Sequence, residues 1–147
     1  MDDIILLYRP RYKKGVDNFL TKVKAHFDIK DLGELKWFLG IRILRDRAAH
    51  KLWLCQDAYI EKMVHQYGIQ KNDQFKGSLF PTNELQPRGD QAPEDLVQRY
   101  QQKVGSNTYA AVITRPDIAK PVTKLAEFML NLSNKHHQLI DRIMEYL

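Results

Sequence analysis

The sequence predicts an α+β fold in which a mixed part is followed by a purely helical part. Apolar residues recur at helical spacing after residue 15 and at period two between residues 35 and 43, whereas only helical spacing recurs after residue 95. The stretch between the two parts has no sustained period and is rich in residues that break helices and strands: Asn72, Gly77, Pro81, Pro87, Gly89 and Pro93. The predicted organisation is therefore a mixed segment over 1–68, a linker over 69–95 and a helical segment over 96–147.

Composition narrows the class of protein. The 147 residues match the length of one domain, and the formal charge of +5 is compatible with a partner that carries phosphate groups. The sequence has no apolar run long enough to span a membrane, and the short run at 4–7 follows acids, unlike a signal peptide. The single cysteine, Cys55, excludes an internal disulfide. We expect an intracellular protein, cytoplasmic or nuclear and not secreted, with no membrane partner.

The spacing of apolar residues predicts the first strand and the first helix. The continuous apolar run Ile4–Tyr8 predicts a buried strand, which Pro10 and Gly15 separate from the next element. A helix is then predicted to end near Asp28, because one helical face carries apolar residues, namely Val16, Phe19, Leu20, Val23 and Phe27.

A β-hairpin and a helix complete the mixed segment. Alternating apolar residues from Leu35 to Leu44 predict one strand, and residues 51–55 predict a second, joined by a turn whose type the sequence leaves open. Asp57 is the predicted N-cap of the following helix, and Gly68 is its predicted C-terminal stop.

The helical segment carries three further signals. One helix is predicted to hold Tyr100, Val104, Ala111 and Val112, and Pro116 suits the first position of the next. Pro121 predicts either a kink or a helix that begins there. A last helix is predicted to begin at residue 133 or 134 and has no stop signal, so we expect the chain to be cut from a larger protein.

Three stretches resemble the reverse transcriptase of copia-type LTR retrotransposons. They are MDDIIL at residues 1–6, DLGELKWFLGI at residues 31–41 and TRPDI at residues 114–118. Their order and spacing make the resemblance specific, and it extends over essentially the whole chain. It implies the later palm of a right-hand polymerase over residues 1–68 and a thumb-like part over 96–147, with RNA template and DNA primer as partners. The fingers and early palm would lie upstream, and an RNase H domain downstream.

The resemblance also implies the catalytic and metal-binding residues. Asp2 and Asp3 match the paired carboxylates of the polymerase turn, with Asp2 the principal ligand and Asp3 a supporting one. Nucleotidyl transfer uses two divalent ions, usually Mg²⁺, about 4 Å apart, and Mg²⁺ prefers oxygen ligands. The aromatic residue that precedes this pair in the family, and a further aspartate from an earlier strand, are absent from the sequence. We therefore expect the isolated chain to be inactive, with Asp2 and Asp3 in a solvated tail as the alternative.

Two further groups of candidate residues lie in the mixed segment. Trp37, Phe38, Leu39 and Gly40 match the hairpin that positions the primer terminus, and Gly40 would let a phosphate or sugar come close. Trp37 and Leu39 also fit the core of an amphipathic hairpin. The cations Arg9, Arg11, Lys13 and Lys14 are candidate phosphate contacts, with a solvated loop as the alternative.

Other candidates lie on the helices, where cations such as Lys103, Arg115, Lys120 and Lys124 could follow the template–primer backbone.

Three functional hypotheses remain: a segment of an RNA-directed DNA polymerase, a non-catalytic nucleic-acid-binding module, and a relic reading frame with no selected role. Steep loss of affinity with salt distinguishes a phosphate binder, and aggregation through exposed apolar surface distinguishes a relic.

Overall fold

The computed structural model describes residues 4–70, 78–79 and 85–147. The chain forms two compact units that divide between Leu54 and Cys55. Within the described part of the chain, no helix has both the length and the apolar composition needed to cross a membrane. The observed class is α+β, with a small antiparallel sheet and five α-helices in the described ranges.

The first unit begins with an extended segment rather than a strand. Ile4–Tyr8 has no regular secondary structure, and its side chains are between 40% and 93% exposed, so the predicted buried strand is wrong. A strand requires a neighbour to satisfy its backbone N–H and C=O groups, and no described residue pairs with this segment. A 3₁₀ turn, Pro10–Tyr12, then leads directly into helix α1, Lys13–His26, where the helical prediction is confirmed.

Three strands form the sheet of this unit. They are β1, Trp37–Phe38; β2, Ile41–Asp46; and β3, Lys51–Cys55, in the order β1-β2-β3. The hairpin predicted between β2 and β3 is confirmed, but the single strand predicted over 35–44 is broken at Leu39 and Gly40. There the chain reverses, so that Phe38 pairs with Ile41 and Trp37 with Arg42.

Helices make up most of the second unit. They are α2, Asp57–Tyr67; α3, Glu94–Ile113; α4, Ala119–Ala126; and α5, Asn134–Tyr146. Helix α2 starts one residue earlier than predicted, because Gln56 is its N-cap and Asp57 already lies in its first turn. Gly68 ends it with a φ of +66°, as predicted, since glycine adopts the left-handed conformation without steric cost.

The core of the second unit forms around α3. Tyr100 and Val104 are fully buried with Leu125, Ile140 and other apolar residues of α4 and α5. Val112 lies on the same helix, as predicted, but is 76% exposed. Val112 directly follows buried Ala111, and this step of about 100° around the helix turns its side chain away from the core.

The C-terminal part of the predicted linker contributes to this core. Leu85 and Ala92 are buried in the same cluster as α3, although neither lies in a helix. Helix α2 also belongs to the second unit, because the Tyr59 and Tyr67 hydroxyls both contact Ser106 at 3.1 Å. The compact units thus divide before α2, whereas the sequence predicts a division at 69–95. The assignment of these parts to a polymerase palm and thumb stays a prediction.

Proline and serine explain the starts of the last two helices. A 3₁₀ turn at Pro116–Ile118 precedes α4, and Pro121 lies in the first turn of α4, where its missing N–H leaves no bond unmade. Ser133 is the N-cap of α5, and its backbone N–H donates to His136 Nδ1 at 2.8 Å. His136 is fully buried and stacks on Phe128, with ring centroids 4.1 Å apart.

We predict that the His136 cap makes folding sensitive to acid. Burial lowers the pKa of His136, and Lys135 lowers it further. Below about pH 6.5 the unfolded chain then binds more protons than the folded chain, so the free energy of unfolding falls as the pH falls. A His136→Gln variant keeps an acceptor at this position without titrating, and its unfolding free energy should depend less on pH.

Urea titrations at about pH 7.5 and about pH 5.5 measure this difference. Exposed His65 on α2 provides the control, because His65→Gln removes a histidine that caps no helix. Identical pH dependence of wild type and His136→Gln would contradict the prediction.

Candidate nucleic-acid interface

The predicted catalytic pair, Asp2 and Asp3, lies outside the described residues. Among the residues that the structure describes, no three histidine, cysteine, aspartate or glutamate side chains come together as a metal site. Aspartate oxygens suit Mg²⁺, but two adjacent carboxylates supply only part of an octahedral set. The described residues therefore do not form a Mg²⁺ site by themselves.

The four predicted phosphate contacts lie in one short segment. Arg9 precedes the 3₁₀ turn, Arg11 lies within it, and Lys13 and Lys14 open helix α1; all four are exposed. Arg11 stacks on Tyr12, with 4.8 Å between the guanidinium carbon and the ring centroid. Lys13 and Lys14 lie at the positive end of the α1 helix dipole, and no acidic residue in the first turn balances their charge. An anion bound here would offset this unfavourable arrangement.

The predicted primer-positioning residues form a tight reversal of the chain. Leu39 and Gly40 have φ values of +49° and +78°, which is typical of a type I′ turn between two antiparallel strands. Trp37 and Leu39 are 53% and 65% exposed, so they are not the core residues of the alternative interpretation. Phe38 and Ile41, on the other face of the hairpin, are half-buried.

The left-handed conformation of Leu39 has an energetic cost. A residue other than glycine, asparagine or aspartate pays about 1 kcal/mol or more in this region. Asparagine would suit the position better, yet the tip of the turn holds an exposed leucine. The turn therefore presents an apolar side chain beside a glycine whose backbone a ligand can approach, since a Cβ at Gly40 would meet nothing within 4 Å.

Polar contacts hold the loop that leads into this hairpin. Asp31 accepts a hydrogen bond from the Gly33 backbone N–H at 2.9 Å and pairs with Lys24 of α1 at 3.1 Å. The Gly33 N–H and then Lys24 hold the pKa of Asp31 below its usual range. Glu34 pairs with Arg47, beyond β2, at 2.8 Å. The first half of the DLGELKWFLGI motif thus links α1, the loop and the sheet of the first unit.

An exposed stripe along helix α3 was not predicted from the sequence. Its members are spaced four, three, four and three residues apart, and all are exposed and uncharged: Gln98, Gln102, Gly105, Tyr109 and Val112. We call these residues the α3 stripe. They extend for about 21 Å along the helix. The sequence contains this 3.5-residue spacing, but glutamine and glycine are not apolar side chains. The stripe therefore does not form an apolar periodicity.

Gly105 is the most informative member of the α3 stripe. Glycine inside a helix costs about 1 kcal/mol relative to alanine, and no close internal contact requires it here. A Cβ built at Gly105 would meet nothing within 4 Å outside its own helix. The glycine therefore serves no packing need of the described structure, and it leaves the helix backbone accessible from solvent.

Two of the predicted helical phosphate contacts serve the fold instead. The Lys103 side chain is only 3% exposed and pairs with Asp141 of α5, so its prediction as a backbone contact is wrong. Arg115 is held by Asp117 at 2.8 Å and also donates to the Leu147 carbonyl at 3.3 Å. Lys124 pairs with Glu127 at the surface at 2.6 Å. The sequence could not separate these roles, because it does not show which side of each element the core covers.

The sequence of the first unit and the start of the second matches a family model. Residues 1–81 match the model described as reverse transcriptase (RNA-dependent DNA polymerase). The chain belongs to this reverse transcriptase family. The matched range includes the basic segment and the Leu39–Gly40 turn, and the resemblance to copia-type reverse transcriptases is confirmed.

The relatives of this reverse transcriptase chain are retrotransposon proteins. The retrovirus-related Pol polyprotein from transposon TNT 1-94 of Nicotiana tabacum is 33% identical over 156 residues, covering 100% of this chain and 11% of the polyprotein. The corresponding polyprotein from transposon RE1 of Arabidopsis thaliana is 32% identical over 130 residues, covering 88% of this chain and 9% of the polyprotein. The chain thus spans about a tenth of the length of these two relatives. No solved structure gives a significant match.

We predict that Gly40→Ala loosens the β1–β2 hairpin. Alanine at a φ of +78° costs about 1 kcal/mol, because its Cβ approaches the backbone in the left-handed region. The Ile43 N–H, which donates to the Lys36 carbonyl at 2.7 Å, should then exchange with solvent deuterons about fivefold faster. Gly89→Ala is the matched control, since Gly89 has no positive φ and a Cβ there meets nothing within 4 Å. Unchanged exchange in Gly40→Ala would contradict the turn geometry.

Proposed function

We propose that this chain is the later palm and the thumb of an RNA-directed DNA polymerase, and that by itself it binds template–primer nucleic acid without polymerising. The observation that carries the proposal is that three groups of residues face solvent without serving internal packing. They are the basic segment at residues 9–14, the Leu39–Gly40 turn and the α3 stripe. Each offers a different kind of contact to a nucleic acid.

The basic segment supplies the contacts to phosphates. Arg9, Arg11, Lys13 and Lys14 are exposed, and none of them forms an ion pair with a carboxylate of the described residues. Such cations bind phosphate oxygens and release counterions, so this part of the affinity is independent of sequence and falls with salt. Arginine stacked on tyrosine, as at Arg11 and Tyr12, also provides a planar surface for a base.

The Leu39–Gly40 turn suits contact with the end of a primer. Gly40 has no side chain to keep a sugar or phosphate away from its backbone N–H and C=O groups. Trp37 and Leu39 offer apolar surface beside it, and both are more than half exposed. This arrangement supports the primer-positioning role that the resemblance implies for residues 37–40.

The α3 stripe suits the sugars and base edges of a duplex. The amides of Gln98 and Gln102 both donate and accept hydrogen bonds, whereas cations would be drawn to the phosphates. Gly105 permits close approach of the helix backbone, and Tyr109 provides a ring that is 42% exposed. The face is uncharged along its length, so its contribution to affinity should depend little on salt.

Catalysis requires more than the described residues provide. We propose that Asp2 and Asp3 hold part of a Mg²⁺ site, as the resemblance implies, and that the remaining carboxylate comes from a polymerase segment upstream. A Mg²⁺ ion held there would supply Lewis-acid chemistry for nucleotidyl transfer. The exposed side chains of Leu52, Trp53 and Leu54 fit contact with that upstream segment, and the RNase H domain is the proposed downstream neighbour.

A prediction at Gly105 separates binding from folding. Gly105→Ala should raise the free energy of unfolding by up to about 1 kcal/mol, because alanine favours the helix. The same change should weaken binding of an RNA–DNA primer–template, since the added methyl group keeps the ligand from the α3 stripe. Fluorescence anisotropy at about 50 mM and about 200 mM salt measures the affinity, and wild-type affinity should fall steeply between them.

The control for this variant is Thr123→Ala, on an exposed position of α4. It should leave the affinity unchanged. Unaltered affinity in Gly105→Ala would remove the α3 stripe from the proposal, and no binding of wild type at low salt would contradict nucleic-acid binding altogether.

A second prediction concerns polymerase activity. The purified chain should show no Mg²⁺-dependent primer extension on an RNA template, because two adjacent carboxylates leave the metal site incomplete. Extension is measured by primer lengthening on a gel, with Asp2→Asn as the matched control. Incorporation by the wild-type chain that Asp2→Asn abolishes would contradict the prediction of inactivity.

A further inference from the structure

Helix α2 contacts α3 beside the α3 stripe. The ring of Tyr59, on α2, lies 4.9 Å from the ring of Tyr109, measured between centroids, with 66° between the two planes. Tyr59 is partly buried against the core of the second unit, whereas Tyr109 is 42% exposed and belongs to the α3 stripe. An edge-to-face pair at this distance is attractive. One ring of the pair is thus held by the fold, and the other faces solvent.

The hydroxyl of Tyr59 fixes its ring in this place. It donates a hydrogen bond to the Ser106 carbonyl at 3.1 Å, and Ser106 lies about one turn before Tyr109 on α3. A carbonyl oxygen has two lone pairs, so this bond is compatible with a helical bond to the same atom. Burial raises the pKa of Tyr59, so its hydroxyl stays a donor at neutral pH. The Tyr59 side chain is therefore anchored at its hydroxyl as well as packed at its ring.

We propose that Tyr59 is a positioning residue, which holds the Tyr109 ring in the orientation that the α3 stripe presents to a nucleic acid. This inference rests on the proposed function, since it takes the stripe as a contact surface. An exposed tyrosine on a helix has two favoured χ1 rotamers, because the third clashes with the preceding turn. The contact with Tyr59 favours one of them. The ring is then ordered before a ligand binds, and this part of the entropic cost of binding is removed.

Tyr67, on the same helix, provides an internal comparison. Its hydroxyl contacts Ser106 Oγ at 3.1 Å, so both tyrosines join α2 to one residue of α3. Its ring faces Lys103, with Nζ 5.7 Å from the ring centroid, and Lys103 is buried. Of these two tyrosines, Tyr59 is the one whose ring pairs with a member of the α3 stripe. Replacing Tyr67 should therefore disturb the junction of α2 and α3 without releasing the Tyr109 ring.

Affinity for an RNA–DNA primer–template tests the proposal. Tyr59→Leu removes the ring pair but keeps an apolar side chain, and it should raise the dissociation constant about three- to tenfold, because the Tyr109 ring must then be immobilised on binding. This factor should be the same at about 50 mM and about 200 mM salt, since no charge is lost. Tyr59→Phe keeps the ring and should stay within about twofold of wild type. Tyr67→Leu is the matched control and should leave the affinity unchanged.

A double-mutant cycle separates positioning from a general effect on the fold. Tyr109→Ala removes the ring that Tyr59 positions, so the addition of Tyr59→Leu to this variant should weaken binding no further. If Tyr59 supported only the packing of α3, the second change would still lower the affinity, and that result would overturn the proposal. Urea titrations establish that each variant is folded under the conditions of the binding assay.

The ring contact can be tested without nucleic acid. In protein labelled with 3-fluorotyrosine, the fluorine resonance of Tyr109 is the one that is absent from Tyr109→Phe. Tyr59→Leu should shift this resonance, because an adjacent aromatic ring alters the local magnetic field, and Tyr67→Leu should leave it in place. An unchanged resonance in Tyr59→Leu overturns the proposal.

The outcomes distinguish this proposal from the proposed function. No binding by wild type at low salt contradicts nucleic-acid binding, and the positioning role fails with it. Binding by wild type that Tyr59→Leu does not weaken overturns the positioning role alone. Weaker binding in Tyr59→Leu, with wild-type affinity in Tyr59→Phe and no further loss in the Tyr109→Ala background, supports both.

Discussion

The buried face of α3 is the constraint on which the second unit depends. The Tyr100 hydroxyl donates a hydrogen bond to the Leu125 carbonyl at 2.8 Å, and Lys103 forms an ion pair with Asp141. Helix α3 thus makes polar as well as apolar contacts in the core. Burial raises the pKa of Tyr100, and an unpaired Lys103 would be costly in the same place. Because these contacts set the rotation of α3, they also decide that Gly105 and Tyr109 face solvent.

The first unit is organised differently. None of its described residues is buried, and hydrogen bonds of Asp31 and ion pairs of Lys24 and Glu34 connect its helix, loop and sheet. Exposed ion pairs contribute little to stability, so we expect this unit to gain most of its stability from surfaces that lie outside it. The proposed upstream polymerase segment and the proposed nucleic acid would offer such surfaces.

Membership of the reverse transcriptase family and the activity of this chain are separate matters. The family match covers residues 1–81, and the two polyprotein relatives are about ten times as long as the chain. The motif at residues 31–41 could be found from sequence because its order of residues is distinctive. The spacing of the α3 stripe is also present in the sequence, but its exposure depends on which face of the helix the core covers. Two lysines at helical positions, Lys103 and Lys120, look alike in sequence, yet one is buried and the other exposed.

The sequence by itself determined the family, the α+β class and those ends of helices that local chemistry controls, such as Gly68 after α2 and Ser133 before α5. These features depend on residues close together in the chain, so they can be read without a tertiary structure. Only the tertiary structure decided that Ile4–Tyr8 has no strand partner among the described residues, that the chain reverses at Leu39, and that Val112 faces solvent. Strand pairing and burial depend on residues distant in sequence, and an apolar run alone does not reveal whether a partner is present.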